Sequence, residues 1–203
     1  MPHKRVMRLA VAAAMMAAGS VVQAAGAGKS IMVTAVEVQN TGNLQAASVT
    51  LNDIIKIDEI AVMKKNGRES IKFPQYINKN GQSYPQIVIL NETVKKDIEK
   101  AVLSGAVSPS AKAKLEYKVT RLSLLSSQTR RANVEVTFNE AVKVTAGVME
   151  NSDKEVWIAW PARQNGKSGW VKQLTFLRPA FKKMLEDEII NKYKAARSEE
   201  AER

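Results

Sequence analysis

The sequence predicts an α+β protein made of two tandem repeats. Each repeat is an antiparallel β-meander followed by one α-helix, and the two pack as an intrachain pseudo-dimer. Three observations carry this expectation. Short blocks recur at a nearly constant spacing, which is the sign of an internal repeat. Within each copy, apolar alternation of period two gives way to one stretch of helical period. A copy of about 75 residues buries only a marginal core alone, so two should pack together.

The blocks are these. Residues 32–36 match 118–122 at a spacing of 86, and residues 49–53 match 136–140 at 87. The pairs Phe73-Pro74 and Trp160-Pro161 keep 87, as do residues 87–90 against 174–177 and 94–98 against 181–185. The expected organisation is a signal over 1–24, a flexible leader over 25–30 and a first unit over 31–103. A linker over 104–113, a second unit over 114–197 and a charged, fraying tail over 198–203 complete it.

Within the units, residues 31–38 and 115–125 read as opening strands. Second strands follow at 44–51 and 131–138, where alternation is clearest, and Asn52-Asp53 and Asn139-Glu140 mark tight turns into third strands at 54–63 and 141–149. Asn66-Gly67 and the stretch 151–153 supply turn chemistry into strands at 70–73 and 155–160. After a loop, a short strand (85–89 and 171–176) leads into a helix. The first helix shows an apolar stripe of Val94, Ile98, Ala101 and Val102, with Asn91 as its N-cap. The second shows Phe181, Leu185, Ile189 and Tyr193, with Pro179 in its first turn.

Composition restricts the chemistry. The chain has no cysteine and one histidine, His3, so Ser-His and Cys-His catalysis and His- or Cys-based zinc sites are excluded. No enzyme activity, cofactor or metal is expected. Lys4, Arg5 and Arg8 precede an apolar run over 9–18, shorter than the ~20 residues that span a bilayer, and small residues precede a cut after Ala24. These features predict export to the periplasm or outside the cell. A retained N-terminus would instead mean a cytoplasmic protein.

A Val-Thr opening strand, the corner at 49–53, an apolar strand ending in proline, an Asn-Gly loop and a closing helix follow one another over 31–103 and again over 115–194. Their order and spacing resemble the stage V sporulation protein G (SpoVG) septation-protein family. The resemblance implies small α+β units that pair through their sheets and act in cell septation and sporulation. It also implies nucleic-acid binding by basic residues just after the strand-ending proline. Those positions are Arg163 and Lys167 in the second unit; the first has Gln75 and Tyr76, with only Lys79 basic. The family's loop ends in Asp-Gly where this chain has Asn80-Gly81 and Ser168-Gly169, and its His-Pro-Ile before the helix is missing. The family is also typically cytoplasmic and single-unit.

The net charge of +11 falls to +8 without the signal, and it is uneven: residues 31–107 carry +1 and residues 114–203 carry +5. Arg163, Lys167 and Lys172 flank Trp170, and Arg130 and Arg131 lie in the hairpin opposite. Basic residues beside an aromatic suit phosphate backbone and a stacked base, or an anionic envelope polymer. A solvated basic loop over core tryptophans explains the same residues. Of the tryptophans, Trp157 and Trp160 should face opposite sides of one strand, and Trp170 should be exposed.

The triplets at 28–30 and 166–168 echo the end of a phosphate-binding loop but lack its upstream glycine and following helix. Asp53, Asp58 and Glu59 have Glu140, Thr145 and Ala146 as counterparts, so they read as turn and solvated-strand acids. The expected partners are unit 1 with unit 2, nucleic acid or an anionic polymer, and a possible homo-oligomer. The functional expectation is an exported, septation-protein-like binding module. A nucleic-acid-binding regulator is the alternative.

Overall fold

Sixteen elements run from β1 (Val33–Thr41) to α2 (Pro179–Ala201) among the described residues. The computed structural model describes residues 30–41, 44–78, 80–109, 114–165 and 169–202. The expected signal, the leader apart from Ser30, and Lys79 and Lys167 lie outside them. The chain is α+β, with antiparallel sheets and two helices.

β1, β2 (Leu44–Leu51) and β3 (Ile55–Lys65) form a meander, and β4 (Arg68–Lys72) returns along the second half of β3. In the second half of the chain β8 (Tyr117–Leu124), β9 (Arg130–Phe138) and β10 (Val142–Glu150) do the same, with β11 (Val156–Ala159) on the second half of β10. The corners are two-residue turns with both central residues left-handed: Asn52 and Asp53 at φ 51° and 54°, Asn139 and Glu140 at 45° and 57°. Ile54 N donates to Leu51 O and Ala141 N to Phe138 O across them. This is the primed turn that matches strand twist, and asparagine tolerates it best.

Asparagine does more here than bend the chain. Asn52 Oδ1 accepts from Met32 N at 2.8 Å, and Asn139 Oδ1 accepts from Glu116 N at 2.7 Å. Both asparagines are nearly fully buried, so each amide that fixes the turn also satisfies the start of the opening strand.

Each half then folds a small hairpin, β5 (Gln75–Ile77) with β6 (Ser83–Pro85) and β12 (Ala162–Gln164) with β13 (Trp170–Lys172). The single short strands expected after the loops are therefore each two strands. β6 is followed by β7 (Ile87–Ile89), and β13 by β14 (Leu174–Phe176). Gln86 and Gln173 separate the pairs, and each turns its backbone carbonyl to the other half: Thr145 N donates to Gln86 O, and Asp58 N to Gln173 O.

β7 does not join the sheet of its own half. It pairs with β10, Ile87 opposite Val144 and Ile89 opposite Val142. β14 pairs with β3, Leu174 opposite Ile57 and Phe176 opposite Ile55. Every residue in the second set stands 87 positions from its counterpart in the first. The helices stay at home: α1 (Glu92–Ser104) packs on β1, β2 and β4, and α2 on β8 and β11.

One apolar core runs through both halves, from Val49, Leu51, Ile55 and Ile57 to Val134, Val136, Phe138 and Val144. Each such side chain contributes about 1.5–3 kcal/mol on burial. Both predicted helical stripes face it, Phe181 only half-buried. Asn91 caps α1 by accepting from Thr93 N and Val94 N, and Gly105 closes it in the left-handed region at φ 73°.

Three expectations need correction. α1 includes Ser104, the first expected linker residue. α2 continues to Ala201 through the expected tail, because 195–201 holds alanine, glutamate and arginine and no breaker. The spacing of 86 for the opening strands is not the spacing of their pairing. Met32 meets Asn52 as Glu116 meets Asn139, a spacing of 84, and a bulge after Val33 in one strand falls after Val119 in the other. The shared Val-Thr dipeptides mark where the bulges fall, not which residues are equivalent.

Candidate functional site

The β12–β13 hairpin starts where Pro161 ends the apolar strand; Pro161 O accepts from Gln173 N and ties its base. Cross-strand partners share a face. Arg163 and Val171 point one way, and Gln164, Trp170 and Lys172 the other. The outward face leaves Trp170 68% exposed with Lys172 exposed beside it. Lys167 lies outside the described residues.

Arg163 points inward. Its Nε donates to both oxygens of Glu59, at 2.7 and 2.8 Å, and Gln173 Nε2 donates to Glu59 Oε2 at 3.0 Å. The hydrogen bond that Arg163 donates to Glu59 holds the guanidinium pKa above its ordinary value. Glu59 sits in a bulge of β3 where Asp58 and Glu59 together oppose Ser48, and its φ is 59°. A left-handed glutamate is uncommon and costs about 1–2 kcal/mol. Arg163 thus clips the second hairpin to the first sheet through Nε and Nη2.

Arg130 and Arg131 part company at a bulge, where Arg130 opposes Met149, Ala132 opposes Val148 and Arg131 is the extra residue. Arg130 Nε donates to Asn133 Oδ1 at 2.9 Å, and its guanidinium lies over Gly147, where an added Cβ would stand 3.0 Å from Nε. Burial lowers its pKa, against a smaller opposing influence from Tyr76 of the first hairpin. Arg131 Nη1 donates to Ser127 O, and its Nε lies 3.4 Å from Glu150 Oε2, an ion pair without hydrogen-bond geometry. Glu150 also accepts from Tyr193 on α2 at 2.7 Å. Arg131 therefore belongs to the seam between β10 and α2.

The five of these basic and aromatic residues that are described do not form one patch. Arg163 goes to the first sheet, Arg130 and Arg131 to the second, and among those described Trp170 and Lys172 are exposed without an ion-pair partner. Trp160 is structural: its Nε1 donates to Glu186 Oε1 at 2.7 Å and its ring meets Phe176 edge-on at 4.7 Å. Trp157 is half-exposed on the other side of the strand. In the first hairpin Tyr76 faces Tyr84, with ring centroids 6.4 Å apart.

Sequence reasoning missed the role of Glu59, because its counterpart Ala146 carries no acid to suggest one. It also missed Arg121. With the opening strands aligned by pairing, Arg121 opposes Glu135 where Glu37 opposes Ser48. A spacing of 86 hides that charge reversal.

Among the described residues no cluster of His, Cys, Asp and Glu could hold a metal, and no helix is long and apolar enough to cross a membrane. Comparison with protein-family models, curated proteins and solved structures finds no match.

Proposed function

We propose that this chain is a non-enzymatic, exported, septation-protein-like (SpoVG-like) module, a duplicated unit folded as an intrachain pseudo-dimer, that binds an anionic polymer through its second unit. Support for the duplication is the recurrence of eight elements in one order, with β7 and β14 exchanged between sheets at a spacing of 87. Support for export is the positive and apolar run over residues 4–18. The observation that carries the binding role is Trp170, 68% exposed on the outward face of its hairpin with Lys172 beside it. An indole left in water beside a cation offers both stacking and charge to a passing polyanion.

Titration with polyphosphate and with a single-stranded oligonucleotide tests the role. Trp170→Ala and Lys172→Ala should each weaken binding, and higher salt should weaken it further. Binding that neither substitution changes removes the hairpin from the proposal. Trp170 also favours the second reading, a nucleic-acid-binding regulator, since an exposed indole stacks on bases. A Trp170-dependent preference for the oligonucleotide, together with cytosolic protein bearing an intact N-terminus, would establish that reading over the first.

A further inference from the structure

The outer faces of the two sheets are counterparts, yet one is closed by its own charges and the other is open. On the first sheet Lys56 Nζ lies 2.8 Å from Glu37 Oε2 and 3.6 Å from Asp58 Oδ1, while Ser48 donates to Glu37 and Thr175 to Asp58. Every charge there has a partner. By pairing register, the corresponding positions on the second sheet are Arg121 for Glu37, Glu135 for Ser48, Lys143 for Lys56 and Thr145 for Asp58. An acid has become a base and a second acid a hydroxyl.

The result is a polar recess of about 220 Å³ lined by Arg121, Ser123, Asn133, Glu135 and Thr145. Lys143 neutralises Glu135 at 3.7 Å. Among the described residues Arg121 has no carboxylate partner; its Nε donates only to Ser123 Oγ at 3.1 Å. Asn133 gives its oxygen to Arg130, which leaves its amide nitrogen without a protein acceptor among the described residues. Gln86, whose carbonyl is held by Thr145 N, stands outside this lining, and its buried Oε1 lacks a partner just as that of its counterpart Gln173 does.

We propose that this recess binds a small hydroxylated carboxylate of the sugar-acid class. The proposal rests on the duplicated-unit reading, through the comparison of the two faces, and not on the hairpin. The guanidinium of Arg121 takes the carboxylate in its planar fork. Ser123, Thr145 and Asn133 donate to or accept from hydroxyls, and Glu135 accepts hydroxyl protons while repelling a bare dianion. With Lys143 paired to Glu135, Arg121 is the lining cation left to face a carboxylate. The lining holds no aromatic ring, so nothing in it would stack a base.

The test is a titration of the full chain with glucuronate, glucose and inorganic phosphate, followed by amide chemical shifts of Ser123 and Thr145. Glucuronate should shift both, with glucose and phosphate far weaker. Arg121→Ala should weaken glucuronate by about tenfold or more, the scale of one charge-assisted bond. Thr145→Asp, which restores the acid of the closed face, should also abolish binding, and circular dichroism should show both variants folded. Trp170→Ala should leave glucuronate binding unchanged while weakening polyphosphate, so the two proposals fail separately. The inference is overturned if glucuronate does not bind, if glucose or phosphate binds as well, or if folded Arg121→Ala binds as tightly as the parent.

Discussion

Asn52 and Asn139 both donate a side-chain hydrogen bond to the carbonyl oxygen of Ser30, at 3.1 and 3.2 Å. They occupy equivalent turns 87 residues apart, so one backbone carbonyl joins the corners of both halves. Asn139 Nδ2 also lies 3.3 Å from Lys114 O, the counterpart of Ser30 in its own half.

Removing the Asn139 amide should therefore destabilise the whole molecule. Asn139→Ala loses buried hydrogen bonds and places alanine in the left-handed region, for a cost of about 2–3 kcal/mol. Asn139→Gly keeps the backbone free of strain and should recover about 1 kcal/mol of that. Urea midpoints at constant m-value report both. Because the two amides share Ser30, the Asn52→Ala, Asn139→Ala double variant should cost other than the sum of the singles.

The clip between Arg163 and Glu59 should contribute little to stability. Both side chains are partly exposed, at 49% and 21%, and such pairs are worth at most about 1 kcal/mol. Arg163→Ala should lower stability by that much or less, and the difference should shrink in high salt. Glu59→Gly should be nearly neutral, since relief of the left-handed backbone, about 1 kcal/mol, offsets the lost pair. Glu59→Ala, which keeps the strain and loses the pair, should be the least stable of the three. Thermal melts at low and high salt rank them.

The acid limb of stability should depend on Glu150. The Tyr193 hydroxyl, then Arg131 and Lys154, hold its carboxyl below the usual carboxylate range. A folded value below the unfolded one adds stability above the unfolded pKa of about 4.3 and loses it as pH falls through the folded value. Glu150→Gln should therefore lower the melting temperature at pH 7 and flatten its decline towards pH 3. Glu37, lowered chiefly by its bond with Lys56, should leave a residual slope in that variant. Melting temperature against pH, with Tyr193→Phe as a partial mimic, measures the effect.

The sequence made the elements legible because their signals are local. Alternation at 132–138, Asn52-Asp53 and Asn139-Glu140, and the stripes of Val94 and Ile98 or Leu185 and Ile189 each depend on neighbours in the chain. Where β7 and β14 go was not legible. Three-residue strands such as Ile87–Ile89 carry no signal for which edge they pair with. The site was less legible still. Basic residues announce charge, but whether a charge is spent internally depends on a distant acid such as Glu59 or Glu150. Arg121 showed the converse, a cation whose freedom appears only when its counterpart Glu37 is identified through register.

Strand exchange makes the final prediction the most decisive for the architecture. Each sheet takes one strand from the other half, and that strand covers the first half of a central strand: β7 on β10, β14 on β3. A fragment ending before residue 110 would expose Ile55 and Ile57, both fully buried in the intact chain, where β14 should lie. A fragment starting at 114 would expose Val142 and Val144 in the same way. Fragments 30–109 and 114–202, made separately, should each bind a hydrophobic dye and lack a cooperative melt. Mixed in equal amounts they should form a 1:1 complex with a single melting transition, because the inter-half contacts among the described residues survive the cut. Its melting temperature should rise with concentration, as a bimolecular association requires. Two fragments that each melt cooperatively alone and stay apart on mixing would mean that β7 and β14 are not exchanged.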